Sequence, residues 1–299
     1  GTFTWRPLLR KAGIDFGLTH VKAHWISPSG ERNFLSTMDG FDRRGLANEL
    51  RHRYAIDVIC AAGNGPTDGF DWFPQHRPQG NPISAEIRVQ AEGAARLLQD
   101  QRLPVAPRFM AVSIGTGVSY ALRDEDGGCV ALLGSAIGAG TVDGLLTSMG
   151  IASGPGIDAL LESDAAPPTF DLMLGDVVPA LKGTPYEAFV ASHFAKAASN
   201  PPLLDDEWRR RFAASAVNML VVDVARSLLL HDKNPDCRMT LDGFVLPVRD
   251  VVVVGTMPSR SRTVRRALEA ALRLIGKEPV FPERAEYALA VGAYHAIEP

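Results

Sequence analysis

The sequence predicts an α/β protein in two lobes, and three observations carry the prediction. Short β-type runs alternate with helical patterns, glycine-rich turns sit at the joins, and 299 residues suffice for two domain-sized units. Hydrophobic residues make up 46% and charged residues 22%, the balance of a chain with a packed core, which excludes disorder. With 31 basic and 34 acidic residues the net charge is -3, so neither nucleic acid nor an anionic membrane is expected as partner, and a small molecule is. Three widely spaced cysteines, Cys60, Cys129 and Cys237, form no CxxC pair and fit reduced thiols. The seven histidines lack HxxxH or HxH spacing, so no zinc or other metal cluster is expected. No charged leader with an apolar stretch opens the sequence, which leads to the expectation of a cytoplasmic protein.

Taken in order, AGIDFG from Ala12, VKAHWI from Val21 and AIDVICAAG from Ala55 are each about one strand long. Gly63 to Pro82, rich in Gly, Pro and Asn, reads as a long surface loop, with Trp72 and Phe73 either a lid or an anchor. A helix follows with Ser84 as its expected N-cap and Ile87, Ala91, Ala94 and Leu98 on one face, which puts Glu86 in the first turn. From Phe109, two β-rich runs flank Gly115, Thr116 and Gly117 as a hairpin, CVALLG from Cys129 adds a strand, and GSAIGAGTVDGLL from Gly134 turns into a helix. A helix from about Asp206 to Leu230 carries Phe212, Ala216, Leu220, Val224 and Leu228 at every fourth position. Its apolar part is interrupted by Asn218, Asp223 and Arg226, so a core helix is expected there, not a membrane span. The strand DVVVVGT from Asp250 and helices over 263–275 and 284–297 close the chain. The lobes are expected as residues 1–105 and 106–299.

Glycines let backbone N–H groups approach phosphate oxygens, and a helix N-terminus behind them adds favourable potential. The turns DFGLT from Asp15, GTGVS from Gly115 and GAGTVDG from Gly138, with GT at Gly255, are therefore candidate phosphate contacts, although any single one is equally a hairpin or a cap. Their combination, with Asp15, Thr19 and Lys22 around the first turn and a second glycine hairpin one lobe later, reads as a two-sided phosphate clamp. No GxxxxGK[ST] occurs and no GxGxxG follows the first strand, so neither a P-loop nor a dinucleotide fold accounts for it. Glu86 is either a general base beside the loop or a helix-start carboxylate suited to the helix dipole.

DFGLTHVK and IGTGVSY resemble the two phosphate loops of the actin-like ATPase and sugar kinase superfamily. With Glu86, GSAIGAGTVDGLL, DLMLGDV from Asp171, VASHFAK from Val190, VVVVGTMPSR from Val251 and YALAVGAY from Tyr287, the chain resembles the type II pantothenate kinases over about residues 12–297. The resemblance implies a two-lobed actin-like (ribonuclease H-like) fold with a nucleotide cleft between lobes. It implies transfer of the γ-phosphoryl of ATP to the primary hydroxyl of pantothenate, the first step toward coenzyme A. Glu86 then matches the catalytic base. Asp15 holds Mg²⁺ through water, Lys22 faces the phosphates, and Gly17, Thr19, Gly115 and Gly117 wrap the triphosphate. Gly138, Gly140 and Thr141 complete the nucleotide site, with Gly255 near the adenosine. Thr116 and Ser119 match substrate-contacting hydroxyls, and Val190 and Ala191 match a segment reaching a partner's acceptor pocket, which implies a homodimer.

The sequence departs from that pattern at Leu18, where a glycine is expected, at Ala62 in a glycine pair, and at Ala131, where the family carries an arginine aimed at acceptor and phosphate. Arg88 and Arg123 are the nearest replacements by sequence. The alternatives are a kinase of another hydroxyl compound or a nucleotide-binding pseudokinase or regulatory dimer.

Overall fold

The computed structural model describes residues 9–152, 155–161, 168–199, 205–234, 238–241 and 244–298; Cys237 lies outside them. β1 (Lys11–Phe16) and β2 (Val21–Ile26) form an antiparallel hairpin, extended by β3 (Arg32–Ser36), a strand too polar to register as one in the sequence. The short helix α1 (Arg43–Asn48) is capped by Asp42, whose side chain accepts from Gly45 N. β4 (Val58–Ala62) runs parallel to β1, and the brief β5 (Gln75–His76) lies beside β4 inside the 63–82 segment. α2 (Pro82–Gln101) starts earlier than Ser84 suggests. Its N-cap is Asn81, whose side chain accepts from Ile83 N and Ser84 N, and Pro82 follows at the first position, where a missing N–H costs nothing. Glu86 therefore sits in the second turn, a correction to the sequence reading.

β6 (Phe109–Ile114), β7 (Val118–Arg123) and β8 (Cys129–Ser135) follow as expected, then α3 (Ala139–Ser148), α4 (Pro155–Leu161), β9 (Leu172–Met173), α5 (Leu174–Val177) and β10 (Val190–Ser192). α6 (Asp206–His231) is the long helix, and the hairpin β11 (Arg238–Leu241) and β12 (Phe244–Pro247) precedes β13 (Asp250–Val254). α7 (Thr256–Arg260), α8 (Arg262–Leu274), β14 (Glu278–Val280) and α9 (Ala288–Ala296) complete the order. α8 ends at Gly276, whose φ of 78° is the left-handed conformation that stops a helix.

Two compact units result. Among the described residues, the first takes those up to 111, 120–132 and from 281 on; the second takes 112–119 and 133–280. The first unit is built on the sheet β3-β2-β1-β4-β5. Ile14, Phe16, Leu46, Leu50, Ile59 and Phe70 fill one face of it. Cys60, Ala62, Val89, Leu289, Ala293 and Ile297 cluster separately, where α2 and α9 contribute. α2 and α9 cross at backbone contact: a Cβ on Gly93 would lie 1.7 Å from Ala288 O, and one on Gly292 1.8 Å from Val89 O. No other residue type fits either position without separating the helices. Phe73 is buried and packs on Phe70, so it anchors the 63–82 segment, while Trp72 remains 41% exposed.

The second unit centres on β13, whose Val251, Val252, Val253 and Val254 are fully buried, in the sheet β14-β13-β6-β7-β8. α6 is long and apolar enough to cross a membrane by length and composition, but Ala213, Ala216, Leu220, Val224 and Leu228 are fully buried against its own unit. It is a core helix, as its interrupted apolar run predicts. Asp171 is the buried fastener of the DLMLGDV and SHFAK motifs: it accepts from Phe194 N at 3.1 Å and from Asn218 Nδ2 of α6 at 3.1 Å, with His193 Nδ1 at 3.5 Å. Burial opposes its charge, yet these bonds hold the carboxyl below its ordinary range.

His24, on β2, is fully buried. Its Nδ1 lies 3.0 Å from Asn33 O, its ring stacks on Phe34, and Nε2 is a buried atom with no hydrogen-bond partner. Burial, against the Asn33 bond and helped by His295 and Arg32, brings its pKa down to about 4; burial with Arg96 and Arg32 does the same for His295. The unfolded chain therefore takes up protons below about pH 6.5 that the fold refuses until about pH 4, so stability is full above 6.5 and falls between the two. His24 alone accounts for a loss on the order of 3 kcal/mol across that window. Urea unfolding at pH 7 and pH 4.5 is expected to show it, with a smaller pH dependence in His24→Leu; an unchanged dependence would remove His24 as its source.

Candidate active site

The β1–β2 register sets Asp15 directly across from Lys22, and their side chains meet as Oδ2 and Nζ at 3.0 Å, each about a tenth exposed. Lys22 is thereby committed to neutralising Asp15, and its ammonium keeps two further donors. Beyond the pair the chain turns through Gly17, Leu18 and Thr19. Leu18 is 63% exposed, so the residue replacing the expected glycine projects outward. The turn is held from outside: Arg43 Nη2 donates to Gly17 O at 3.4 Å and Leu18 O at 3.2 Å, while Gly65 N donates to Phe16 O at 2.6 Å. A Cβ on Gly65 would lie 2.2 Å from Gly17 O, so the turns after β1 and β4 are in backbone contact.

That second turn delivers Glu86 its partner. Asn64 Nδ2 donates to Glu86 Oε2 at 2.7 Å, and Arg77 Nη1 donates to Gly63 O at 3.1 Å with its guanidinium 5.8 Å from the Phe16 ring centre. Burial raises the proton affinity of Glu86, the Asp15 charge raises it further, and Arg77 acts in the opposite sense. The first unit thus places Asp15, Lys22 and Glu86 near one another, and adds Asn64, Arg77 and Arg43. None of those three carries a sequence signal, because each lies in a segment without periodicity and acts only through the folded turns. Two carboxylates and an amide oxygen are hard donors suited to Mg²⁺, so the set fits that ion.

In the second unit the Gly115–Gly117 turn seats on the start of α3. Ala139 N donates to Gly115 O at 2.8 Å and Gly140 N to Thr116 O at 3.1 Å. A Cβ on Gly138 would lie 2.5 Å from Gly117 Cα, and one on Gly140 2.8 Å from Thr116 Cγ2, so these glycines are required by packing. Thr141 Oγ1 donates to Ala136 O at 2.9 Å, and Gly255, at φ 115°, passes Ile114 O where a Cβ would come within 2.2 Å. Gly115 differs from these. A side chain there would meet nothing nearer than Gly117 O at 4.0 Å, which leaves open space of the kind a phosphate group needs. Ser119 is half-buried on β7, and Val190 and Ala191 lie on β10, where Val190 pairs with Met173.

Ala131 is half-buried on β8, Arg123 Nη2 donates to Glu92 at 3.0 Å, and Arg88 lines a cavity along α2. The cation that acts on Glu86 is Arg77.

No protein-family model matches the chain, and no curated protein matches it. Solved structures do. Component A of the (R)-2-hydroxyglutaryl-CoA dehydratase of Acidaminococcus fermentans is similar over 97% of this chain and 97% of its own, at 15% identity and a TM-score of 0.54. The ethanolamine utilization protein EutJ of Carboxydothermus hydrogenoformans is similar over 97% and 91%, at 14% identity and a TM-score of 0.50. A ROK family glucokinase of Streptomyces griseus, solved with glucose and AMPPNP, aligns over 96% and 99% at 12% identity and a TM-score of 0.47. With two five-stranded sheets joined by helices and glycine turns in the order the sequence predicts, the chain has the actin-like ATPase fold.

Proposed function

We propose that the protein is an ATP-dependent small-molecule kinase of the type II pantothenate kinase kind, with a primary alcohol as acceptor. The observation that carries the reading is Glu86. It stands in the second turn of α2, tied to Asn64, with its proton affinity raised by burial and by Asp15. A carboxylate tuned toward neutral pH beside a charged turn is what proton removal from an alcohol requires. In this reading Asp15 would hold Mg²⁺ through water, which supplies charge neutralisation at the phosphates, Arg77 adds positive charge, Lys22 donates its remaining hydrogens to phosphate oxygens, and the open face at Gly115 accepts a phosphate oxygen.

ADP release from MgATP tests it, across pantothenate, pantetheine and sugar alcohols. Acceptor-dependent release is the expected result, and release that no acceptor accelerates would sink the kinase. Ala131 favours a second reading, nucleotide binding and turnover without an acceptor, and the same assay separates the two. The homodimer is part of the proposal. Tyr186 and Phe189 are 56% and 40% exposed in the stretch before Val190 and Ala191, and Val177 on α5 is 53% exposed, a set of apolar side chains that a second copy would cover. Light scattering is expected to give twice the chain mass, and a monomer at micromolar concentration would remove it.

A further inference from the structure

α1 runs on into a single π-helical turn, Glu49–Arg53, in which Tyr54 N donates to Glu49 O at 3.2 Å. Ala55 then takes the left-handed conformation at φ 52°, and Ile56 N reaches back to Leu50 O at 3.0 Å. This reversal brings Asp57, the residue after Ile56, to the side of Arg51, the residue after Leu50. Arg51, His52 and Asp57 line a cavity of about 370 Å³ together with Trp72, Phe73 and Pro74 of the 63–82 segment. Its size is that of a small-ligand site. The basic run Arg51, His52, Arg53 and the exposed Trp72 have no part in the candidate active site, and here they meet.

The lining carries two fixed charges of opposite sign. Arg51 is exposed and makes neither an ion pair nor a hydrogen bond among the described residues. Asp57 Oδ2 accepts from the backbone at Arg10 N, at 3.0 Å, which leaves Oδ1 available. Arg51 and Asp57 face the same space without pairing with each other. The charges next to the lining keep the balance: Arg53 Nη1 lies 3.5 Å from Glu49 Oε2, and the exposed Arg10 and Asp71 are one of each sign. His52 is the remaining polar group. Ile56 and Phe73 are buried and give the cavity an apolar floor, and Trp72, 41% exposed, gives it an aromatic wall. A guanidinium and a carboxylate that are both unpaired on one cavity match a ligand bearing an anion and a cation. The indole beside an apolar floor matches a ring.

We propose that this cavity binds an α-amino acid with an aromatic side chain. Arg51 takes the carboxylate, Asp57 Oδ1 takes the ammonium, and the ring packs on Trp72 above Ile56 and Phe73. The site shares no residue with the set around Asp15 and Glu86, so it does not depend on phosphoryl transfer.

Isothermal titration of the full chain with phenylalanine and with tryptophan is the direct test. Phenethylamine, which lacks the carboxylate, 3-phenylpropionate, which lacks the ammonium, and alanine, which lacks the ring, are the comparisons. At least one of the two aromatic amino acids is expected to bind at one site, with each comparison about tenfold weaker or more. Arg51→Gln and Asp57→Asn are each expected to weaken amino-acid binding by about tenfold. Both positions are exposed, and asparagine keeps an acceptor for Arg10 N, so the variants fold. Arg51→Gln should bind phenethylamine no more weakly than the parent does, because that ligand never used the guanidinium; by the same logic Asp57→Asn should bind 3-phenylpropionate no more weakly. Trp72→Ala should lose the preference for phenylalanine over alanine. No binding of either aromatic amino acid up to about 10 mM, a comparison ligand as tight as they are, or unchanged affinity in Arg51→Gln overturns the proposal.

Discussion

Glu86→Gln is expected to lower acceptor-dependent turnover by about 10²-fold or more while leaving nucleotide affinity and melting temperature close to those of the parent. Three features of the structure lead there. The residue lies past the first turn of α2, where the helix dipole has little hold, so a capping role does not explain it. Its Oε2 accepts from Asn64, a bond the glutamine oxygen reproduces, so the fold of the turn survives the change. What glutamine lacks is the basic site, whose proton affinity burial and Asp15 have raised. The carboxylate must be deprotonated to act, so the rate should rise with pH through a value above that of an ordinary glutamate, and this limb should vanish in the variant. Equal turnover of the two proteins would return Glu86 to a structural role.

Arg77→Ala is expected to cost more, about 10³-fold in turnover, the scale of a supplied arginine in phosphoryl transfer. Lys22 is paired with Asp15 at 3.0 Å and Arg123 with Glu92, while Arg77 is the cation acting on the Glu86 carboxylate. Its bond to Gly63 O places it over the turn that carries Asn64. Arg77→Lys should recover part of the loss by charge alone, which a merely structural role for the bond to Gly63 would not predict. Turnover within threefold of the parent in Arg77→Ala would show that no cation is required at this point.

The strands β1, β2, β4, β6 and β7 and the helix α6 were legible because their periodicity and flanking turns are local properties. β3 was not: Arg32–Ser36 contains one strongly apolar pair, and it is a strand because β2 offers it an edge. α2 is capped by Asn81 and not by Ser84, because the Asn81-Pro82 pair, a cap followed by a pre-organised first residue, reads equally in a sequence as the end of a loop. Asp15 and Glu86 could be named from the sequence through the motifs around them. Arg77 and Asn64 could not, since their approach to Glu86 exists only once the turn after β4 has folded against the turn after β1. Gly138 and Gly140 illustrate the opposite limit, for a glycine that packs and a glycine that binds look the same in a sequence, and only the Cβ distances separate them.

The place of α9 has a consequence for how the molecule is made. Lys11 Nζ of β1 reaches Ile297 O across 286 residues of chain, and Cys60 Sγ reaches the same carbonyl across 237. At ribosomal rates the first strand emerges roughly 15 to 60 s before the helix that covers it. For that interval Gly13, Cys60, Ala62 and Val89 present an uncovered apolar face, and Gly93 waits for a partner backbone not yet synthesised. The nascent chain is thus a natural client for a holdase, and premature termination just before α9, after Tyr287, should yield an aggregation-prone fragment whose strands are all in place.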